Sequence, residues 1–79
     1  MKPVFVDTGG FYAFLDRTDP FHGQASILFL RARDEGWGLF TSSYVVHETW
    51  ALIQARLGWG AVEDWLSSLL PLCEVVWVD

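Results

Sequence analysis

The chain has 79 residues, 52% of them apolar, with five tryptophans and six phenylalanines. That is enough for one small domain, 1–79, and too few for two, and it excludes an intrinsically disordered chain. A formal net charge of −5, with only Lys2, Arg17, Arg31, Arg33 and Arg56 basic, excludes a strongly basic nucleic-acid-binding module. It leaves open a nuclease, whose carboxylates gain countercharge from bound metal ions.

The first element is Val4-Phe5-Val6, two β-branched residues around an aromatic, which reads as a short buried strand from Pro3 that ends on Asp7. Thr8, Gly9 and Gly10 follow, chemistry suited to a turn or helix start. In open α/β sheets ligand-binding groups sit just beyond the carboxyl ends of strands, where Asp7 falls. The alternative is that Asp7 only caps the next helix. That helix reads Phe11-Tyr12-Ala13-Phe14-Leu15 and closes at Asp16-Arg17. A second starts with Asp19 as N-cap and Pro20 at the first helical position. Ala25, Leu28, Phe29 and Ala32 give it one apolar face, ending near Arg33.

After a turn at Asp34-Glu35-Gly36, Gly38-Leu39-Phe40-Thr41 makes a second strand. Ser42 or Ser43 caps a third helix, with Val46, Trp50, Ile53 and Leu57 as its stripe, widened by Val45, Thr49 and Leu52. Gly58 is placed to stop it in a left-handed conformation. A fourth helix runs from about Gly60, turns Val62, Trp65, Leu66 and Leu69 inward, and stops at Pro71. Residues 73–79 form a third strand. Strands alternating with helices imply parallel pairing through right-handed crossovers, and continuous apolar strands fit a sheet covered on both faces.

A chain this short buries only about 60–65% of its unfolded surface, so such an apolar composition suggests completion by a partner. The single Cys73 excludes an internal disulfide and fits a reducing compartment. The start, Met1-Lys2-Pro3-Val4, carries no long apolar run, which makes the cytoplasm the expected location.

If the first two strands are parallel neighbours, Asp7 and Glu48 point into one crevice. Two converging carboxylates suit Mg²⁺, which takes few protein oxygens and keeps several waters. A solvated helix position is the plainer role for Glu48, but Val45 and Leu52 flank it on the same face. His47-Glu48 begins like a zinc-protease helix, yet the second histidine's position is Ala51. His22, His47 and Cys73 lack zinc-ligand spacing, and Cys73 reads as a small buried hydrophobe. Asp7-Thr8-Gly9 matches the active-site loop of aspartic proteases, but those are all-β, and this chain runs mostly at helical period. The tryptophans read as core or interface rather than as a base-stacking platform.

Val4-Phe5-Val6-Asp7-Thr8, then Phe14-Leu15-Asp16, then Asp19-x-x-His22 resembles the opening of a PIN-domain protein. Leu39-x-Thr41-Ser42-x-x-Val45-x-x-Glu48 and Leu52-Ile53-x-x-Arg56-x-Gly58 are similar to the same family in order and spacing. The pattern is nearest to VapC-type toxins of toxin–antitoxin pairs. The resemblance implies a PIN-like three-layer α/β sandwich, truncated to about its first three-fifths, with a parallel three-stranded sheet and about four helices. It implies a ribonuclease dependent on Mg²⁺ or Mn²⁺, with Asp7 and Glu48 as metal-holding catalytic residues and Thr8 as support. Arg17, and more weakly His22, would contact the RNA. An antitoxin protein and a homodimer are the expected partners. The family's later acidic ligands have no counterpart here, so weak or absent activity is expected. The other reading is a non-catalytic remnant that self-assembles or binds an antitoxin-like partner.

Overall fold

The computed structural model describes residues 2–78. In chain order the elements are β1 (Pro3–Phe5), α1 (Thr8–Leu15), α2 (His22–Glu35), β2 (Gly38–Ser42), α3 (Ser43–Leu57), α4 (Trp59–Asp64) and β3 (Cys73–Val76). Between α4 and β3 the chain continues through a wide π-helical turn, Trp65–Leu69, and a tight 3₁₀ turn, Leu70–Leu72. Leu70 N–H closes the wide turn on the Trp65 carbonyl. Pro71 has no N–H to continue a helix, so the helical path ends there.

The sheet is parallel, in the order β1-β2-β3. Val4 pairs with Leu39 and Leu39 with Cys73, while Phe5, Phe40 and Glu74 form the next row. The strand residues that join the core, Val4, Leu39 and Cys73, belong to one face, and Val6, just beyond β1, continues it. The other face presents Phe5 and Val76, each 49% exposed, with Phe5 edge-on to Phe40 at 5.4 Å. Topology explains this one-sidedness. Both crossovers advance in the same direction across the sheet, and right-handed crossovers then lay all their helices on one side. The parallel three-stranded sheet and four helices agree with the expected class. The described residues form two layers, and the sheet, expected to be covered on both faces, is covered on one, leaving Phe5, Phe40 and Val76 on the other.

The core lies between sheet and helices, around Phe11, Ile53, Val62 and Trp65, all fully buried. Phe11 meets Trp65 edge-on at 5.8 Å and Phe14 meets Phe29 at 5.1 Å, geometries that suit the aromatic quadrupole. Trp65 Nε1 is buried without a hydrogen-bond partner among the described residues.

Several boundaries differ from the sequence reading for local reasons. Asp19 does not cap α2: its Oδ1 accepts the Phe21 N–H at 2.9 Å and its carbonyl the His22 N–H at 3.0 Å. That turn absorbs Pro20, so α2 begins two residues later. Gly58 does take a positive φ of 87°, but its ψ of 179° is extended rather than left-handed helical. The left-handed stop is Gly36, φ 68° and ψ 35°, at the end of α2. β3 ends at Val76, because the Val78 N–H turns to the Ser43 Oγ at 2.9 Å. Met1 and Asp79, the latter the last residue of the expected third strand, lie outside the described residues.

Candidate active site

Two hydrogen bonds carry the β1–β2 pairing past the end of β1. Val6 N–H donates to the Phe40 carbonyl at 2.8 Å, and the fully buried Thr41 Oγ1 donates to the Val6 carbonyl at 2.7 Å. The chain is therefore held up to the residue before Asp7. Asp7 is the N-cap of α1, with Oδ1 accepting the Gly10 N–H at 2.9 Å. Ser42 closes β2 and caps α3, its Oγ accepting the Val45 N–H at 3.1 Å. α3 thus starts at the same, carboxyl end of the strands, and Glu48 comes about a turn and a half along it.

Thr8 joins the two halves. Its Oγ1 donates to Glu48 Oε1 at 2.9 Å and accepts from Thr49 Oγ1 at 3.2 Å. Thr49 is fully buried, so this relay is anchored in the core and directs the Thr8 proton at the carboxylate. Sequence periodicity assigns Thr49 to the apolar stripe of α3. Its hydroxyl role is visible only once α1 lies beside it.

Asp7 and Glu48 are both exposed, and each has one oxygen in a hydrogen bond and the other free of protein partners among the described residues. Two oriented carboxylates fit a hard divalent cation that keeps most of its water shell. Among the described residues no group of three or more acidic, histidine or cysteine side chains converges. The pair therefore fits a weakly held ion and not a closed cage.

A groove of about 460 Å³ opens beside Asp7 between α1, α2 and α3, lined by Tyr12, Asp19, Phe21, Leu28 and Leu52 among others. Neither Arg17 nor His22 is bonded to the Asp7–Thr8–Glu48 group. Arg17 is exposed in the turn after α1. His22 Nδ1 lies 2.8 Å from the Ala13 carbonyl, a bond that ties the start of α2 to α1. Asp16 organises the same turn. Hydrogen bonds from the Thr18 hydroxyl, Tyr12 and the Thr18 N–H hold its carboxyl below the usual range. The same hydrogen bond to Asp16, together with partial burial, raises the Tyr12 phenol. Burial pushes the Cys73 thiol up to about 11, as expected of a small hydrophobe rather than a ligand.

No family profile matches the sequence, and no curated protein matches it. Among solved structures, that of Mycobacterium tuberculosis VapC20, a sarcin-ricin loop cleaving toxin, superposes with a TM-score of 0.75 at 30% identity. The chain carries a VapC-like PIN fold. The match covers 95% of this chain and 56% of VapC20, so the PIN fold here spans little more than half the length of that relative. Within it, the Asp7–Thr8–Glu48 group sits at the carboxyl ends of the strands, the usual position for ligands in open parallel sheets. Among the described residues no helix is long and apolar enough to cross a membrane.

Proposed function

We propose that this PIN fold is a metal-dependent ribonuclease module of the VapC toxin type, with Asp7 and Glu48 as the metal-holding and catalytic carboxylates and Thr8 in support. The observation that carries this reading is the 2.9 Å bond from Thr8 to Glu48 immediately beside Asp7, on a fold shared with an RNA-cleaving toxin. When bound, Mg²⁺ or Mn²⁺ supplies Lewis acidity towards a phosphate oxygen and acidifies a bound water. The chain's own part is orientation. Gly10 N–H fixes Asp7 Oδ1 and so aims Oδ2, and Thr8 does the same for Glu48. Arg17 is free to hold a flanking phosphate as a charge-assisted donor, and His22 is the weaker substrate contact.

With two carboxylates in hand, this chain has weak or no activity, since metal affinity and the positioning of an attacking water both depend on further donors. An antitoxin-like protein, a homodimer formed along β1, and a cytoplasmic location complete the proposal. The second reading, a non-catalytic assembly module, draws support from the open sheet face at Phe5 and Val76. An RNA cleavage assay with Mn²⁺ tests the site: any cleavage should disappear in Asp7→Asn. Cleavage that survives this substitution would overturn the assignment.

A further inference from the structure

α1 and α3 meet at two levels. At the first, Thr8 donates to Glu48 in the candidate metal site. At the second, one turn further along α1, the Arg56 guanidinium lies over the Tyr12 ring at 5.6 Å. Tyr12 follows Thr8 by four residues, about 6 Å along the helix axis. Arg56 is two turns beyond Glu48, but long side chains on a helix lean back towards its N-terminus, so the guanidinium returns towards the site. The groove beside Asp7 is lined by Tyr12 and by Leu52, which stands one turn before Arg56 on α3. Arg56 is therefore at the rim of that groove.

Its charge is uncommitted. The two ion pairs among the described residues take Arg31 to Glu35 and Arg33 to Asp34. Asp16 is near Tyr12, but its oxygens already accept from the Tyr12 hydroxyl at 2.7 Å and from the Thr18 N–H and hydroxyl at 2.9 and 2.7 Å. The Tyr12 hydroxyl bond also fixes the ring on which Arg56 rests. A guanidinium supported by an aromatic face is pre-organised, and its planar fork of donors stays open to an oxyanion. Arg17, exposed in the turn after α1, has no such ring beneath it among the described residues. The plainer role of Arg56 is a cation in the last turn of α3, complementing the helix carbonyls. That role explains the charge but not its return over Tyr12 to the groove.

We propose that Arg56, seated on Tyr12, binds the RNA phosphate next to the one held at Asp7 and Glu48, so that the strand follows the α1–α3 side of the groove. The proposal rests on the ribonuclease reading for its ligand class and adds a substrate-binding residue to that site. A fixed cation one helical turn from the metal-holding carboxylates sets the direction of the strand across them. It serves any sequence, because a phosphate contact positions the strand without reading its bases.

The test is the affinity of the full chain for a ten-nucleotide single-stranded RNA, titrated with KCl at constant Mg²⁺, in the parent, Arg56→Gln and Arg56→Lys. Arg56→Gln should bind about tenfold more weakly, with a slope of log affinity against log salt shallower by about 0.7, the loss of one phosphate contact. Arg56→Lys keeps the charge without the fork, so its slope should match the parent while its affinity falls less. Arg31→Gln removes the same charge beside Trp37, at the amino end of β2, and should leave both quantities close to the parent. Arg56 is exposed, so the fold should survive, and unchanged amide shifts away from the end of α3 verify it. Equal affinity in Arg56→Gln, weaker affinity with an unchanged slope, or no RNA binding by the parent at about 1 mM would each overturn the proposal. Failure of the ribonuclease reading looks different: Mn²⁺ broadening at Asp7 and Glu48 is then missing, whatever Arg56 contributes to binding.

Discussion

Thr8 holds the candidate site together, because among the described residues it is the one side chain bonded both to a candidate ligand and to the core. Thr8→Val removes the donor to Glu48 Oε1 and the acceptor for Thr49 Oγ1. A bond of this type contributes about 1 kcal/mol, so metal affinity should fall about three- to tenfold, and leaving the buried Thr49 hydroxyl without its acceptor should cost about 1–3 kcal/mol of stability. Mn²⁺ titration and thermal unfolding of the variant check the two effects separately. Cys73 makes the opposite case, a reactive group made inert. With its thiol raised to about 11, native alkylation by iodoacetamide near pH 8 should be slower than in denaturant by on the order of a hundredfold. Comparable rates would show that the thiol is not desolvated. Asp16 sets a pH dependence of known sign. Its folded carboxyl is held below the ordinary range by Thr18 and Tyr12, so its stabilisation is complete above the unfolded-state value. It is lost as the pH falls through the folded value. Asp16→Asn should therefore be less stable than the parent at neutral pH and equal to it in strong acid, as read by denaturant unfolding at each pH.

At the scale of elements, the junction of β1 with β2 decides where Asp7 stands. Thr41 is a buried hydroxyl whose bond to the Val6 carbonyl continues the sheet beyond its ladder. Thr41→Val keeps the shape and leaves that carbonyl unpaired, at a cost of about 1–3 kcal/mol. The melting temperature should then fall about 4–8 °C for each kcal/mol in a domain of this size. An unchanged melting temperature would mean that water already serves the Val6 carbonyl. Much of this architecture is legible in the sequence. Alternating apolar runs and helical stripes fix the element order, and of the two serines offered as the cap of α3, Ser42 or Ser43, the structure takes Ser42. Other features are not legible, because they depend on three-dimensional neighbours. Asp19 has the composition of a helix cap, but an Asx turn competes for the same oxygen and takes it. Thr49 counts as apolar by period, and only the approach of α1 reveals its bond to Thr8. Asp7 and Glu48 stand out because each is a carboxylate next to a strand end or an apolar flank. His22 offers no signal that separates a substrate contact from its bond to Ala13.

For the whole molecule, the one-sided sheet is the dominant fact. The helical layer buries Trp65 completely and leaves Trp50 partly accessible, so a dimer through the helix faces, the alternative to pairing along β1, would have Trp50 but not Trp65 to use. β1 is an edge strand, and Phe5 stands on the open face beside it. Unpaired edges invite pairing with a second chain, and a two-fold axis perpendicular to the sheet would make the two β1 strands antiparallel. The two Asp7 residues would then lie at opposite ends of the pair, so such a dimer does not merge its two carboxylate pairs into one site. Light scattering at micromolar concentration should report a dimer, and Phe5→Lys should return it to monomer with its helical signal intact. A monomeric parent would remove β1 pairing from the proposal.

The central claim is that Asp7 and Glu48 jointly hold a divalent ion at the end of the first two strands. Mn²⁺ titration followed by paramagnetic broadening of backbone amides tests it most directly. The expected result is broadening centred on Asp7, Thr8 and Glu48 at about millimolar metal, weak because water supplies most of the coordination. It should be lost in Asp7→Asn and in Glu48→Gln. Broadening that is unchanged in Asp7→Asn, or centred elsewhere on the chain, would contradict the claim.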